Sequence, residues 1–272
     1  MHTYVEEAEA ILDKEYPVLD HGFVRLVDYL GSDQRIVQSA RVSYGEGTKT
    51  YRQDKGLINY LLRNDHTSPF EQVVFTFHLK MPIFVARQWV RHRTGRMNEI
   101  SGRYSVMKDE CYVPDKAHIA LQSEDNKQGR KNEPVTQDDA EKVQASLKEA
   151  YRAAFGSYNE LLDMGIAREI SRVSLPLALY TEFYWQMDLH NLFHFLQLRL
   201  DAHAQYEIRV YAEVILEMVR KVCPMAAEAF ENYKPNSRKF SGKEMTALKA
   251  MLQGEEDPLQ KRERELFEEK LK

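Results

Sequence analysis

A dense group of arginines in the first half of the chain has the residue types that bind an anion. Most charge runs are solvated surface, but these cations are almost all arginine, whose planar guanidinium holds a phosphate or a carbonyl edge through two hydrogen bonds. Small and neutral polar residues lie between them and would let a ligand approach the backbone. The group comprises Arg87, Arg91, His92, Arg93, Arg96 and Arg103, with Thr94, Gly95, Asn98, Ser101 and Gly102 between them. We therefore predict an anion-binding site here.

The possible nucleophiles of the chain lack the patterns that activate one. Cys111 and Cys223 are far apart and form no C-x-x-C pair, which argues against a disulfide framework and a thiolate metal site. We expect both to be buried structural thiols, since a free cysteine behaves mostly as a small hydrophobe. No elbow or triad pattern surrounds Ser101. Its hydroxyl is expected to position a ligand, the alternative being a turn or helix-capping serine.

The elements that position the arginines are predicted to be a strand, a helix and a loop. Val73–Lys80 is β-branched and aromatic, as in a strand. Pro82 suits the first turn of an amphipathic helix that runs into Arg91. Thr94–Asn98 lacks any period and is expected to be a loop, with Arg103–Val106 extended. The arginines then lie at a helix C-terminus, whose dipole end is negative, so their own charge must attract the anion.

The remainder of the chain is predicted to be mainly helical. Its expected elements are a strand at Phe23–Asp28 and helices at Leu57–Arg63, Ala140–Met164, Arg168–Val173, Thr181–Leu200 and Ala202–Val222. Gln122–Asp139 is polar and aperiodic, and we expect a surface insertion without chemistry. Asn236–Lys272 is charge-rich and is expected to be a solvated, partly helical tail.

Composition restricts the class of protein. The 272 residues are 43% hydrophobic and 29% charged, which fits one large globular domain with an appendage. No window approaches the roughly 18 apolar residues of a spanning helix, and no signal peptide is evident, so a cytoplasmic location is expected. The net charge of -4 argues against general nucleic-acid binding.

Several segments together resemble one enzyme family. Arg91-His92-Arg93, followed by seven residues and Ser101, resembles the R-H-R-x7-S signature of the flavin-dependent thymidylate synthases, the ThyX family. Asn98-Glu99 and Ser101-Gly102-Arg103-Tyr104 are similar to the longer form of that signature. The further similar blocks are His66–Glu71, Arg168–Pro176 and Leu198–Ile208. The resemblance covers about Gly22 to Tyr233, so we expect a synthase domain at 1–233 and a charged C-terminal extension at 234–272.

That resemblance implies a fold and a reaction. The fold would be α+β, an antiparallel sheet flanked by long helices. The reaction would be reductive methylation of dUMP to dTMP, with methylenetetrahydrofolate as carbon donor, FAD as hydride carrier and NADPH as reductant. The members of the family are homotetramers with active sites shared between subunits, so we expect the same assembly here, and we expect neither nucleic acid nor membrane as a partner.

The resemblance also implies roles for individual residues. Arg199 would polarise the uracil in place of a thiolate, the alternative being a helix-end ion pair with Asp201 or Glu207. Ser101 is the second candidate in the catalytic centre. The dUMP-binding set is Gln88, Arg91, Glu99, Ser101, Gly102, Arg103, Arg172 and Arg199. The FAD-binding set is His66, Ser68, Glu71, Arg91, His92, Arg93, Asn98, Glu99, His190, His194 and His203. Family members often have Asn or Arg where Asp188, His190 and His194 stand here, which leaves the flavin contacts of those three open.

Two other classes of function remain as alternatives. His190 and His194 are four residues apart, with His203 further on, and could be read as the metal site of a hydrolase. A non-catalytic nucleotide- or nucleic-acid-binding protein could use the arginines for phosphates alone. That protein would carry no chromophore, whereas an oxidised flavin absorbs at roughly 450 nm.

Overall fold

The strands of the chain form one five-stranded antiparallel sheet and a separate hairpin. The computed structural model describes residues 3–42, 49–124, 127–256 and 258–271. Its strands are β1 (Glu15–Val18), β2 (Gly22–Leu30), β3 (Val74–Pro82), β4 (Arg96–Glu99), β5 (Ala120–Gln122), β6 (Arg130–Pro134) and β7 (Tyr180–Asp188). The large sheet has the order β1-β2-β3-β7-β4, and β5 pairs with β6. Every pairing is antiparallel.

Helices precede, interrupt and follow the sheet. They are α1 (Glu6–Glu9), α2 (Asp33–Ala40), α3 (Tyr51–Arg63), α4 (Ile83–Trp89), α5 (Gln137–Asp163), α6 (Arg168–Ser171), α7 (Leu189–Arg199), α8 (Tyr206–Val222), α9 (Pro224–Tyr233), α10 (Gly242–Gln253) and α11 (Lys261–Leu271). The 27-residue α5 is the longest of these. The predicted α+β class, an antiparallel sheet flanked by long helices, is confirmed.

Aromatic side chains join the sheet to α7, α8 and α4, the helix in which the arginine segment (Arg87–Arg103) begins. Trp185 of β7, Trp89 of α4 and Phe195 of α7 are all at most 1% exposed. The Trp89 ring centroid lies 5.1 Å from that of Trp185 and 4.4 Å from that of Phe195. Tyr211 of α8 meets Trp89 edge-on at 6.2 Å. Burial of these large rings is a main source of stability for the region, and it fixes α4, α7 and α8 against one another.

The prediction of a buried helix over Thr181–Leu200 is wrong for its first half. Tyr180–Asp188 is strand β7, in which Phe183, Trp185 and Met187 point into the core while the residues between them are more exposed. That alternation is the period of a strand. The helix starts only at Leu189, after Asp188 Oδ1 accepts a hydrogen bond from the Asn191 amide as its N-cap.

Two predictions around the arginine segment are also wrong. The predicted loop Thr94–Asn98 is a strand from Arg96 on, because Arg96–Glu99 forms β4 on the edge of the sheet, paired with β7. The residues of β4 are exposed except Met97, which is half-buried. The strand is therefore stabilised by its pairing with β7 and not by burial of its own side chains. Arg103–Val106, expected to be extended, continues a turn in which the Tyr104 and Ser105 amides donate to the Ser101 carbonyl.

The chain divides into two compact units, Met1–Phe230 and Glu231–Lys272. In the second unit Ala247, Leu259 and Phe267 form a small core of their own. No helix among the described residues is long and apolar enough to span a membrane.

Candidate active site

Helix α4 ends at Trp89, which packs in the core, and this packing positions the residues that follow it. Trp89 is fully buried. Three basic residues follow Val90, and the side chains of the first and third, Arg91 and Arg93, are exposed. His92 between them turns inward and meets Phe195 edge-on, with 4.9 Å between ring centroids. The basic triplet therefore presents two cations outward and one imidazole inward.

Arg199, at the end of α7, is held by groups at the end of α4. Its Nε donates to His92 Nε2 at 3.1 Å, and one Nη donates to the Gln88 carbonyl oxygen at 3.3 Å. The Gln88 side-chain amide donates in turn to the side chain of Gln205, which immediately precedes α8. The orientation of the guanidinium is thus set by groups at the end of α4, and Gln205 at the start of α8 holds one of them.

The helix-end ion pair proposed as the alternative for Arg199 does not form. Asp201 Oδ1 lies 2.8 Å from His203 Nδ1 instead, and Glu207 pairs with Arg130 at 3.0 Å. Within the described ranges no carboxylate forms an ion pair with Arg199, although the side chain is half-buried. Burial accordingly lowers its pKa. A desolvated guanidinium with no carboxylate partner is suited to stabilising negative charge on a ligand.

His92 is neutral because of where it lies. Burial first, and then the charges of Arg199 and His194, lower the pKa of His92 to about 4. At neutral pH the ring therefore carries one proton, which must be on Nδ1 because Nε2 accepts from Arg199. Protonation would turn that acceptor into a second donor and break the contact.

We predict that the hydrogen bond between Arg199 and the neutral His92 ring makes the free energy of unfolding fall as the solution becomes acidic. The folded pKa of about 4 lies below the ordinary value of about 6.5, so the unfolded chain takes up the proton first. The neutral ring's contribution to the free energy of unfolding is complete above about pH 6.5 and is lost as the pH falls towards 4. Urea unfolding across this range should show a smaller decline for His92→Gln than for the wild type. The exposed His66→Gln is the matched control, and equal slopes for wild type and His92→Gln would contradict the assignment.

A turn after β4 brings together four of the residues predicted to bind the nucleotide, Ser101, Gly102, Arg103 and Arg172. Ser101 Oγ accepts from the Arg103 amide at 3.3 Å, the bond of a turn serine. Arg103 Nε lies 3.2 Å from Glu169 Oε2. A Cβ on the buried Gly102 would stand 3.2 Å from Arg172 Cδ, so the glycine lets that arginine cross the turn closely. No described histidine or carboxylate forms a hydrogen bond with the Ser101 hydroxyl, whose one described partner is the Arg103 amide.

Glu99, the last residue of β4, is oriented by the neighbouring strand. Thr181 Oγ1 donates to Glu99 Oε1 at 2.6 Å, and Thr181 is only 3% exposed. The pairing of β4 with β7 also places Asn98 opposite Tyr184. Both predicted ligand residues thus extend from a strand edge whose register is fixed by core residues.

The predicted flavin loop lies between α3 and β3. His66, Ser68 and Glu71 are all exposed. Phe70 within the same segment is 1% exposed, and its ring lies 6.2 Å from that of Phe193 of α7. One buried aromatic therefore anchors the loop against α7 while its polar side chains face solvent.

The three histidines of the metal-site alternative do not converge. His194 lies near His92, with 6.2 Å between ring centroids. His203 is 84% exposed and is bound to Asp201. The described parts of the chain contain no group of three or more His, Cys, Asp or Glu residues placed to hold a metal ion. His190 is half-buried one helical turn before His194.

Most of the predicted site residues fall into three groups within the chain, and Arg91, Arg93, His190 and His203 are assigned to none of them. The first lies around Arg199, the second on β4 and the turn after it, and the third on the loop before β3. Hydrogen bonds of the side chains join members inside the first two groups, but none between described residues joins one group to another. The predicted members are, in order, Gln88, His92, His194 and Arg199; Asn98, Glu99, Ser101, Gly102, Arg103 and Arg172; and His66, Ser68 and Glu71.

Sequence reasoning missed two residues that hold the site. Gln205 accepts from Gln88, and Thr181 donates to Glu99. Gln205 lies two residues after His203 in the block Leu198–Ile208, which resembles the family. That resemblance is the sequence signal by which Gln205 could have been found. Nothing in the sequence marks Thr181, because its role depends on the pairing of β4 with β7.

Both cysteines are buried and hard to ionise. Cys111 is 8% exposed and Cys223 is fully buried. Burial raises the pKa of the Cys111 thiol to about 12 and that of Cys223 well above its usual value. Since the thiolate is the nucleophile, neither side chain is prepared to add to a substrate at neutral pH.

Comparison with known families identifies two matching stretches. Residues 25–225 match the family described as thymidylate synthase complementing protein, and residues 239–272 match the one described as thymidylate synthase ThyX C-terminal domain. The first stretch contains all three groups of predicted site residues.

Curated relatives and solved structures agree with these matches. The flavin-dependent thymidylate synthase of Treponema denticola is 61% identical over 96% of this chain and 98% of its own. The enzyme of the same name from Treponema pallidum is 57% identical over 100% of this chain and 89% of its own. The UMP/dUMP methylase PolB of Streptomyces cacaoi, solved with 5-Br dUMP bound, is 35% identical with a TM-score of 0.73, covering 81% of this chain and 99% of that one. The chain belongs to the flavin-dependent thymidylate synthase family, ThyX.

Proposed function

We propose that this chain converts dUMP to dTMP by reductive methylation without a cysteine nucleophile. One dUMP, one methylenetetrahydrofolate, one NADPH and one proton would give one dTMP, one tetrahydrofolate and one NADP⁺. The observation that carries this proposal is the half-buried Arg199, which pairs with no carboxylate of the described residues and is oriented by a neutral His92. Family membership supplies the class of reaction.

The residues around Arg199 suit activation of a uracil ring. Carbon 5 of the ring must become nucleophilic, and negative charge then develops on the ring carbonyl oxygens. A guanidinium fixed in advance stabilises that charge without reorganising during the reaction. Arg199 is so fixed, because His92 and the Gln88 carbonyl hold two of its three nitrogens. The buried cysteines leave this arginine as the activating group.

The turn after β4 suits the binding of dUMP. Arg103 and Arg172 are exposed beside Ser101 and Gly102, and paired guanidinium groups bind a phosphate bidentately. Glu99 would accept from a donor on the nucleotide, and Gln88 and Arg91 would complete the set. Ser101 orients the nucleotide within the catalytic centre and forms no covalent bond.

The remaining polar groups suit FAD. The outward guanidinium groups of Arg91 and Arg93 match a pyrophosphate, and further polar contacts could come from His66, Ser68, Glu71, Asn98, His190, His194 and His203. When bound, FAD supplies the hydride that reduces the transferred carbon to a methyl group, and NADPH recharges it. We further infer a homotetramer with active sites shared between subunits, which is the assembly that membership of the ThyX family implies.

We infer that residues 1–233 contain this activity in the cytoplasm, where NADPH and nucleotides are available, and that 234–272 is an extension. The purified protein should be yellow or become so with added FAD, with absorbance at roughly 450 nm. It should form dTMP only when dUMP, methylenetetrahydrofolate and NADPH are all present. A protein that takes up no flavin and instead binds nucleic acid with steep salt dependence would overturn the proposal.

A further inference from the structure

Arg130, in the polar insertion Gln122–Asp139, contacts the first turn of helix α8. Arg130 of strand β6 donates from one Nη to Glu207 Oε1 at 3.0 Å, and its guanidinium lies 5.4 Å from the ring centroid of Tyr206. His118, just before β5, stacks on the same Tyr206 ring, with 3.7 Å between centroids and 24° between planes. The insertion thus contacts two consecutive residues at the start of α8.

Glu207 depends on Arg130 for its counter-charge. Its side chain is 4% exposed, and its other described donor is the Tyr112 hydroxyl, 3.2 Å from Oε1. No described residue donates to Oε2. A buried carboxylate that loses its cation is strongly unfavourable, because the protein cannot replace the lost hydration. Loss of Arg130 therefore favours a movement of the first turn of α8 that brings the Glu207 carboxylate to water.

The start of α8 is connected to Arg199 through Gln88. Gln205, next to Tyr206, accepts from the Gln88 side chain, and the Gln88 carbonyl accepts from Arg199. The Gln205 carbonyl also accepts from the amides of Ile208 and Arg209, so its position is that of the helix start. A displacement of this turn would shift Gln88 and, with it, the guanidinium of Arg199.

We propose that Arg130 is a positioning residue of the active site, acting through Glu207, Gln205 and Gln88 on Arg199. This inference rests on the proposed function for its kinetic consequence. It assigns a role to the polar insertion, which sequence reasoning expected to carry no chemistry. Arg130 touches neither substrate nor cofactor in this account.

Four variants test the proposal in the full-length protein. Arg130→Ala should lower kcat about tenfold with a smaller change in the KM for dUMP, because Arg199 stabilises charge that develops only in the transition state. Arg130→Lys should restore part of the loss. Adding Glu207→Gln to Arg130→Ala should restore more, since no charge is then buried. The matched control is Lys131→Ala on the same strand, where Lys131 pairs with the exposed Glu124, and it should behave as wild type.

Two readouts do not depend on activity. In Arg130→Ala the amides of Ile208 and Arg209 should exchange faster with solvent, and the NMR signals of the His92 ring, which accepts from Arg199, should shift. Neither change should appear in Lys131→Ala. A wild type that makes no dTMP would refute the proposed function while leaving these two measurements to judge the positioning role. Unchanged exchange and His92 signals in Arg130→Ala, or a loss that the double variant does not relieve, would overturn the inference.

Discussion

Arg199→Ala is expected to reduce dTMP formation by about 100-fold to 1,000-fold or more, the cost of removing one donor that stabilises developing charge. The loss should appear in kcat, because the buried thiols offer no second route for activating the uracil. Arg199→Lys keeps a positive charge but loses the planar fork that His92 and the Gln88 carbonyl orient. It should recover only a small part of the rate.

Turnover measurements at saturating dUMP, with flavin content determined by absorbance, check this expectation. The matched control is Arg220→Ala, a partly exposed arginine on α8 that pairs with Glu217 on the same helix. It should keep its turnover. A folded, flavin-loaded Arg199→Ala variant with near-normal kcat would exclude Arg199 as the activating group.

Gly95→Ala is expected to destabilise the protein by about 1–3 kcal/mol through overpacking. A Cβ at this position would stand 2.4 Å from Trp185 Nε1 and 2.9 Å from Met187 Cε. Trp185 cannot move away, because it is 1% exposed and packs against Trp89 and Phe195. The backbone before β4 must shift instead, and dUMP and flavin binding should weaken with it.

The free energy of unfolding in urea measures this effect, and Gly156→Ala provides a control of opposite sign. Gly156 lies on the exposed side of α5, where an added Cβ would meet no described atom within 4 Å, so alanine should stabilise the helix by about 0.5–1 kcal/mol. Equal unfolding free energies for Gly95→Ala and the wild type would show that the contact with Trp185 is not tight.

The structure gives a different reason why position 95 is a glycine. From the sequence we expected that the glycine lets a ligand approach the backbone. Its close neighbours are instead two core side chains of β7, so the glycine lets the strand edge approach the sheet. Sequence reasoning had no access to this reason, because it read Thr181–Leu200 as a single helix and so placed no strand beside Gly95.

Patterns within one element were predictable, whereas pairings between elements were not. The aromatic and β-branched run before Pro82 correctly predicted strand β3, and the apolar face after it predicted α4. Strand β4 has no apolar alternation of its own and exists because β7 offers it a partner. The contacts of Arg199 span more than a hundred residues of sequence, so only the family resemblance could single it out.

We propose that Arg199, and no cysteine thiolate, activates the uracil. The most direct test measures dTMP formation by the double variant Cys111→Ala/Cys223→Ala, purified with its flavin and compared with the wild type at saturating dUMP, methylenetetrahydrofolate and NADPH. Because Cys223 is fully buried, circular dichroism and thermal unfolding must first show that the variant is folded, with Cys223→Ser as a second route if it is not. We predict turnover within about threefold of wild type, a change of less than about 1 kcal/mol in the barrier. A folded, flavin-loaded variant that forms no dTMP would contradict the account.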